Sequence, residues 1–420
     1  MVKTGIPIID SVIETFPWDK SEEYEKLQER YGPEVEDVLA ELILLPLLNF
    51  DSVNDMADAT GRNKNDYYDL LKDHKIDWMR LLQEFTWHFF LAALQVFQHS
   101  KSESFRSRWR LHILVDDTLL RRWSNKMYGS FHLWNYVDKH WMSGQKLVVL
   151  AVTVGKDKFS FPLLCAISDA TCFAVRRTTT EKVIEALNSL HQAAVDEGLS
   201  FAGVRLVGDS GYTSDDIATT AKKLGLQYFG AAKAAWNFTL ADGTTIKCGD
   251  LQHGAIPEKV RHSSRMDRRY YRLIVTHATL GRVALCIFSC HKKAVGKKIR
   301  FWVYLSTDTS ANCITIFRTH KVRWKIEQMF RTFKHGLGLR FYQGIGKIGQ
   351  QAWFALTCLR LILVRLAIKL GYRHPSLRWH IPRRNWGLSR CFRFIGNHYC
   401  LDLNYFGKKR LHYALNMKSF

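Results

Sequence analysis

The stretch Trp109–Thr118, WRLHILVDDT, decides how this chain is read. Leu111, Ile113, Leu114 and Val115 make the short apolar run of a buried strand, and the run stops at Asp116 and Asp117. Taken singly, an aspartate after a strand is a turn or helix cap more often than a ligand. A second strand-like run, Val204–Gly208, also ends in an aspartate, Asp209. Ends of adjacent strands in an open α/β sheet are where ligand sites form, so two such aspartates are a candidate pair.

Between and beyond them the pattern continues. Lys146–Val154 (KLVVLAVTV) reads as a strand, Gly155–Lys158 as a turn and Phe159–Ile167 as its antiparallel return. In Thr179–Glu197 a helical stripe of Val183, Ile184, Leu187 and Leu190 stops at Gly198. Ser214–Leu224 reads as a helix and Gln227–Gly230 as a strand. The order β, β-hairpin, α, β, α, β is that of a ribonuclease H-like α/β sheet. Residues 231–306 hold strand-like runs joined by basic, glycine-containing turns, a β-rich insertion into that domain. Helix returns at 314–335, so 108–230 and 307–370 form the catalytic domain, and 371–420 form a basic, aromatic C-terminal segment.

Residues 1–107 look helical throughout and read as an all-helical N-terminal domain. Within it, Val53–Leu71 fits a helix-turn-helix, with Ala57 at the helix contact, Gly61 in the turn, and Met56, Tyr67 and Leu70 buried. Arg62, Asn63, Lys64 and Asn65 would then start the second helix, where base edges and phosphates are reached; a plain helical hairpin is the alternative.

Composition narrows the partner. Apolar residues at 47% and charged residues at 24% describe an ordinary globular chain, but 61 Lys and Arg against 39 Asp and Glu leave a net charge of +22. Self-repulsion on that scale calls for a polyanion, nucleic acid first. The nine cysteines, an odd and scattered set without a CxxC pair, read as reduced thiols. Cys286, Cys290 and His291 cluster but lack a second ligand pair, which argues against zinc. Trp353–Leu370 is broken by Arg360 and Arg365 and reads as a core helix, not a membrane span.

The third acidic candidate lies in HKVRWKIEQMFRTFKHG, residues 320–336. Ile326, Phe330, Phe333 and Leu337 form its core stripe. Arg323, Glu327, Arg331 and Lys334 share another face, which alone would be a solvated row of ion pairs. Three carboxylates converging from Asp116, Asp209 and Glu327 could not all stay ionised without a cation. Oxygen ligands of this kind suit Mg2+, two ions by this reading, with Mn2+ as a substitute.

Arg323-x3-Glu327-x6-Lys334, followed by Gly336-Leu337-Gly338-Leu339, resembles the Y-x2-R-x3-E-x6-K signature of bacterial insertion-sequence DDE transposases of the insertion-sequence-four group. LVDDT resembles that family's first-aspartate strand, whose D-x-T pattern points to Asp116, with Asp117 as the alternative; LVGDSGY resembles the second and points to Asp209. The spacings, 93 residues from Asp116 to Asp209 and 118 from Asp209 to Glu327, suit the family. The resemblance implies metal-dependent cleavage and strand transfer at terminal inverted repeats, cut-and-paste transposition, a homodimer on paired ends, and in some members a hairpin intermediate. It implies phosphate contacts for Arg323 and Lys334, and Arg331 on the same helix face is a further phosphate-binding candidate. His320 stands where the signature has tyrosine, and an imidazole, especially when protonated, can also bond phosphate. Trp236 and Trp324 are candidates to stack on an extruded base, against a plain core role. The expected partner is double-stranded DNA, and the expected location is the bacterial cytoplasm at the nucleoid. The competing readings are a ribonuclease H-like nuclease or resolvase without strand transfer, a transposase relic that only binds DNA, and a basic scaffold protein.

Overall fold

A computed structural model describes residues 14, 18–46, 50–122, 124, 126–135, 139–155, 160–168, 179–254, 261–264, 268–289 and 301–373. The basic segment expected at 371–420 lies outside these from residue 374 onward, as do Lys156–Phe159, Cys290 and His291.

After a 3-10 turn at Trp18–Lys20 come α1 (Glu22–Tyr31), α2 (Val35–Leu44), α3 (Val53–Thr60), α4 (Lys64–Lys72), α5 (Trp78–His99) and α6 (Glu103–Arg108). Then follow β1 (Leu111–Arg121), β2 (Ser130–Asn135), β3 (His140–Val154), β4 (Phe161–Ile167), α7 (Thr179–Asp196), β5 (Arg205–Gly208), α8 (Asp215–Lys223) and β6 (Gln227–Ala231). Next are β7 (Asn237–Thr239), β8 (Thr245–Lys247), α9 (Cys248–Gln252), β9 (Arg261–Ser263), β10 (Arg268–His277), β11 (Gly281–Ser289) and β12 (Phe301–Ser306). The chain closes with α10 (Cys313–Val322), α11 (Trp324–Gly336) and α12 (Lys347–Arg373).

The twelve described strands make one mixed sheet, β2-β3-β1-β5-β6-β12-β11-β10-β7-β8, with β4 beside β3 and β9 beside β10. Its heart is β4-β3-β1-β5-β6: β3 runs antiparallel to both β1 and β4, while β5 and β6 run parallel to β1. This is the strand arrangement of a ribonuclease H-like core. The β-rich segment extends the same sheet, because β12 pairs antiparallel with β6 and carries β11 and β10 outward.

Alternation along β1 and β3 gives the sheet two buried faces. Leu114, Leu120, Leu147 and Val149 pack with α10–α12 and the N-terminal helices. Leu111, Ile113, Val115, Val148 and Leu150 pack with α7, α8 and the end of α5. Residues burying this fully are each worth about 1.5–3 kcal/mol, so both faces are strongly specified. The N-terminal helices and α12 thus share one core with the catalytic sheet.

Arg360, fully buried in α12, explains why that helix can carry a charge. Its guanidinium lies 4.4 Å over the Trp353 ring and donates to the Leu42 and Leu337 carbonyls near the ends of α2 and α11. Among the described residues no helix is long and apolar enough to cross a membrane. Cys286 on β11 and Cys313 at the start of α10 are joined in a disulfide, where reduced thiols were expected. The pairing brings together positions 27 residues apart, which no spacing motif announces.

Candidate active site

The register of β1 against β5 sets Val115 beside Gly208, so Asp116 and Asp209 come next on the same sheet face. Asp209 leaves the end of β5, but Asp116 lies within β1, which does not stop at its aspartates as expected and runs on to Arg121 because β3 continues to pair with it. Gly208 permits this closeness: a Cβ there would lie 3.1 Å from the Tyr212 Cβ and 3.2 Å from a Val115 methyl. Asp209 is oriented by its own loop, its Oδ1 accepting from the backbone N–H groups of Gly211 (2.8 Å) and Tyr212 (3.1 Å). Asp116 is buried, and burial together with the nearby Asp209 charge raises its pKa to about 7.

Glu327 reaches the same place from α11. The stretch 320–336 is not one unbroken helix. α10 ends at Val322, and Arg323 links it to α11 while keeping right-handed helical angles (φ −53°, ψ −33°). The i, i+4 relation of Arg323 and Glu327 therefore survives, and Ile326, Phe330, Phe333 and Leu337 are all buried. The Arg323 guanidinium joins the carboxylates, one nitrogen 2.9 Å from Asp116 Oδ2 and another 2.6 Å from Glu327 Oε1.

Three acidic groups remote in sequence thus share one guanidinium or one strand-end neighbour. Among the described residues no three metal-ligating side chains are grouped so as to hold an ion as they stand, and the Arg323 guanidinium bridges Asp116 and Glu327. The donor set, all carboxylate oxygen, and the burial of Asp116 beside the Asp209 charge fit Mg2+ or Mn2+.

Asp117 alternates to the opposite sheet face. Its Oδ2 accepts from the Tyr212 hydroxyl at 2.6 Å and pairs with Lys146 Nζ at 2.8 Å. Neither partner was singled out from sequence, although Tyr212 closes the LVGDSGY segment and is the signal that could have been used. Arg205, also unremarked, is buried on β5 and donates to Thr319 Oγ1 at 2.8 Å, fastening α10 to the sheet.

The predicted basic and aromatic residues divide. Lys334 is half-buried beside this site, its pKa lowered to about 8 by burial and by Arg340. Arg331 is exposed, and Trp324, at the first position of α11, is 53% exposed next to Arg323. His320 instead stacks on Tyr304 with ring centroids 4.0 Å apart; its Nε2 is buried without a hydrogen-bond partner, and burial and Arg323 lower its pKa to about 4. It is a neutral ring here, not a cation facing outward. Trp236 packs against Phe238 and, at 4.6 Å, His277.

The helix-turn-helix expectation meets the same division. Met56, Ala57, Tyr67 and Leu70 are buried, and Gly61 caps α3 in the left-handed region (φ +69°). Asn63 caps α4, and Asn63, Lys64 and Asn65 are exposed. Arg62 turns inward to Glu41 at 3.0 Å, with 8% of its side chain exposed, because the buried Glu41 carboxylate needs a cation.

A ribonuclease H-like sheet carrying acidic groups on two adjacent strands and on a covering helix is the arrangement of nucleic-acid enzymes that move phosphoryl groups. The chain matches the family described as transposase DDE domain over residues 109–363, more than half its length, and it belongs to that family. DNA is accordingly its substrate class. Among curated proteins, none matches this sequence.

Proposed function

We propose that this protein is an insertion-sequence transposase that cleaves DNA at the ends of its element and joins those ends to a target. The observation that supports this most is the bridge Asp116–Arg323–Glu327 with Asp209 beside it. On this reading Asp116, Asp209 and Glu327 are the catalytic residues and metal ligands. These carboxylates would hold divalent cations, which would supply activation of a water or 3′-hydroxyl and stabilisation of the leaving oxygen in an in-line displacement. The protein's own part is placement. β1 and β5 hold two carboxylates in register, α11 brings the third, and Arg323 offers the phosphate a planar, doubly donating fork once it no longer neutralises the acids. Lys334 adds a positive charge, and Arg331 lies one turn beyond Glu327 on the exposed side. Trp324 is well exposed for stacking on an extruded base, whereas Trp236 and His320 are committed to packing. Asn63, Lys64 and Asn65 are the DNA contacts of an N-terminal helical domain. The R-E-K face fits the insertion-sequence-four group, with a homodimer on paired ends.

The test is a cleavage and strand-transfer assay with full-length protein, Mg2+ and DNA carrying the element's ends. Asp116→Asn, Asp209→Asn and Glu327→Gln should each lower cleavage about a thousandfold or more while DNA binding stays equal or tightens, since each removes negative charge near phosphate. Loss of binding in all three variants would show that the carboxylates are structural. Cleavage with no joining of precut ends would favour a nuclease.

A further inference from the structure

The carboxylate face of the sheet carries a second feature that cleavage chemistry does not use. Past the point where β4 stops pairing, β3 continues toward its start and pairs only with β2 and β1. On this hairpin Trp134 stands opposite Trp141 and His132 opposite Ser143. The three rings form a cluster: Trp134 and Trp141 centroids are 5.6 Å apart at 69°, and His132 and Trp141 are 5.4 Å apart at 82°. Both contacts are edge-on, and Trp141 remains 61% exposed, more than any other large apolar side chain described. Exposed Lys139 lies two residues before it in the chain.

The pleat decides which way the rings look. Asp116 pairs with Val149 in β3, and residues 149, 147, 145, 143 and 141 alternate to one face. Trp141 therefore projects from the same side as Asp116, eight residues along β3, a separation of about 26 Å at 3.3 Å per residue. The root of the hairpin is fixed. Buried Arg122 donates to Gln145 Oε1 (2.6 Å), to the Tyr342 carbonyl (3.2 Å) and to Gln350 Oε1 (3.1 Å), tying it to α12 and the loop before it.

We propose that the Trp141 ring, with Trp134 and His132 bracing it, is a stacking platform for an unpaired base of the DNA whose backbone crosses the carboxylate site. An exposed aromatic face with Lys139 close in the chain suits single-stranded DNA, because every base offers a π-face and every phosphate a charge. At 3.4 Å per stacked nucleotide, the platform lies about eight nucleotides from the reacting phosphate. The distance rests on the proposed catalytic role of Asp116, but binding to the platform does not.

Binding is measured by fluorescence anisotropy in chelator, so that cleavage plays no part, using duplex ends with single-stranded tails of about four and about twelve nucleotides, bracketing that distance. Wild-type protein should bind the long tail about tenfold more tightly, and Trp141→Ala should erase that preference while leaving short-tail affinity unchanged. Trp141→Phe should restore part of it. Trp141→Ala should weaken long-tail binding equally at every salt concentration, whereas Lys139→Ala should lower the salt slope by about one. Equal affinity of the wild type for both tails would overturn the proposal. So would a Trp141→Ala variant that changes only sedimentation, which would make the patch a protein contact. Wild-type cleavage in Mg2+, scored separately, tells failure of the platform from failure of the carboxylate site.

Discussion

Replacing Asp116 by asparagine keeps the side chain's shape and removes its charge, which tests directly whether this position on β1 is built for a cation. With the Asp116 pKa raised from 3.8 to about 7, the folded chain binds more protons than the unfolded chain between those values. Its stability must therefore fall as pH rises through that window. The penalty is absent below pH 3.8, grows through the interval and is complete above pH 7. A shift of about three units corresponds to about 4 kcal/mol, an upper figure because a real site relaxes around the charge. The Arg323 ion pair is already counted in this balance, its favourable effect being outweighed by burial and by Asp209. In chelator at pH 8, Asp116→Asn should melt several degrees higher than wild type, and the gap should close near pH 4. Millimolar Mg2+ should then raise the wild-type midpoint at pH 8 and leave the variant almost unmoved, since ligands stabilise only what binds them. Differential scanning calorimetry at the two pH values, with and without Mg2+, reads all four quantities. A variant less stable than wild type at both pH values, or an equal response of both proteins to Mg2+, would refute the reasoning.

Arg62 and Lys64 are neighbours with opposite expected behaviour. Arg62→Ala strands the buried Glu41 carboxylate and should destabilise the protein by about 3 kcal/mol in denaturant titration, whereas Lys64→Ala should leave stability within about 0.5 kcal/mol and lower the salt slope of DNA binding by about one. Lys334, lowered to about pH 8, is cationic below that value and neutral above it, so DNA affinity should carry an alkaline limb near pH 8; Lys334→Arg should move that limb beyond the measurable range, as anisotropy titrations across pH will show.

Much of the architecture was legible because it follows from local periodicity. β1 and β5, the stripe of α7, the Ser214 cap of α8 and the buried face of α11 all depend on neighbours within a turn or a pleat. Both aspartates stood out for the same reason, an acid after an apolar run, but only β5 stops at its aspartate; β1 carries on through Asp116 to Arg121, held by pairing with β3 that no local pattern announces. Less visible was β2, too short and mixed in composition to stand out, and with it the extension of β3 and its aromatic pair. Arg62, His320 and Trp236 show the opposite limit. Each has the right side chain for contacting DNA, and each is claimed by a distant residue: Glu41, Tyr304 and His277.

By itself the sequence pointed to the polyanionic partner and the class of sheet, and it singled out three acidic candidates, since charge and hydrophobic period are properties of the chain. Only the folded protein decided that Val115 lies beside Gly208, that one guanidinium spans Asp116 and Glu327, and that Asp117 looks the other way. Those facts depend on strand register and on how α11 sits against the sheet. Both are fixed by packing summed over residues tens to hundreds of positions apart, which no window along the chain contains.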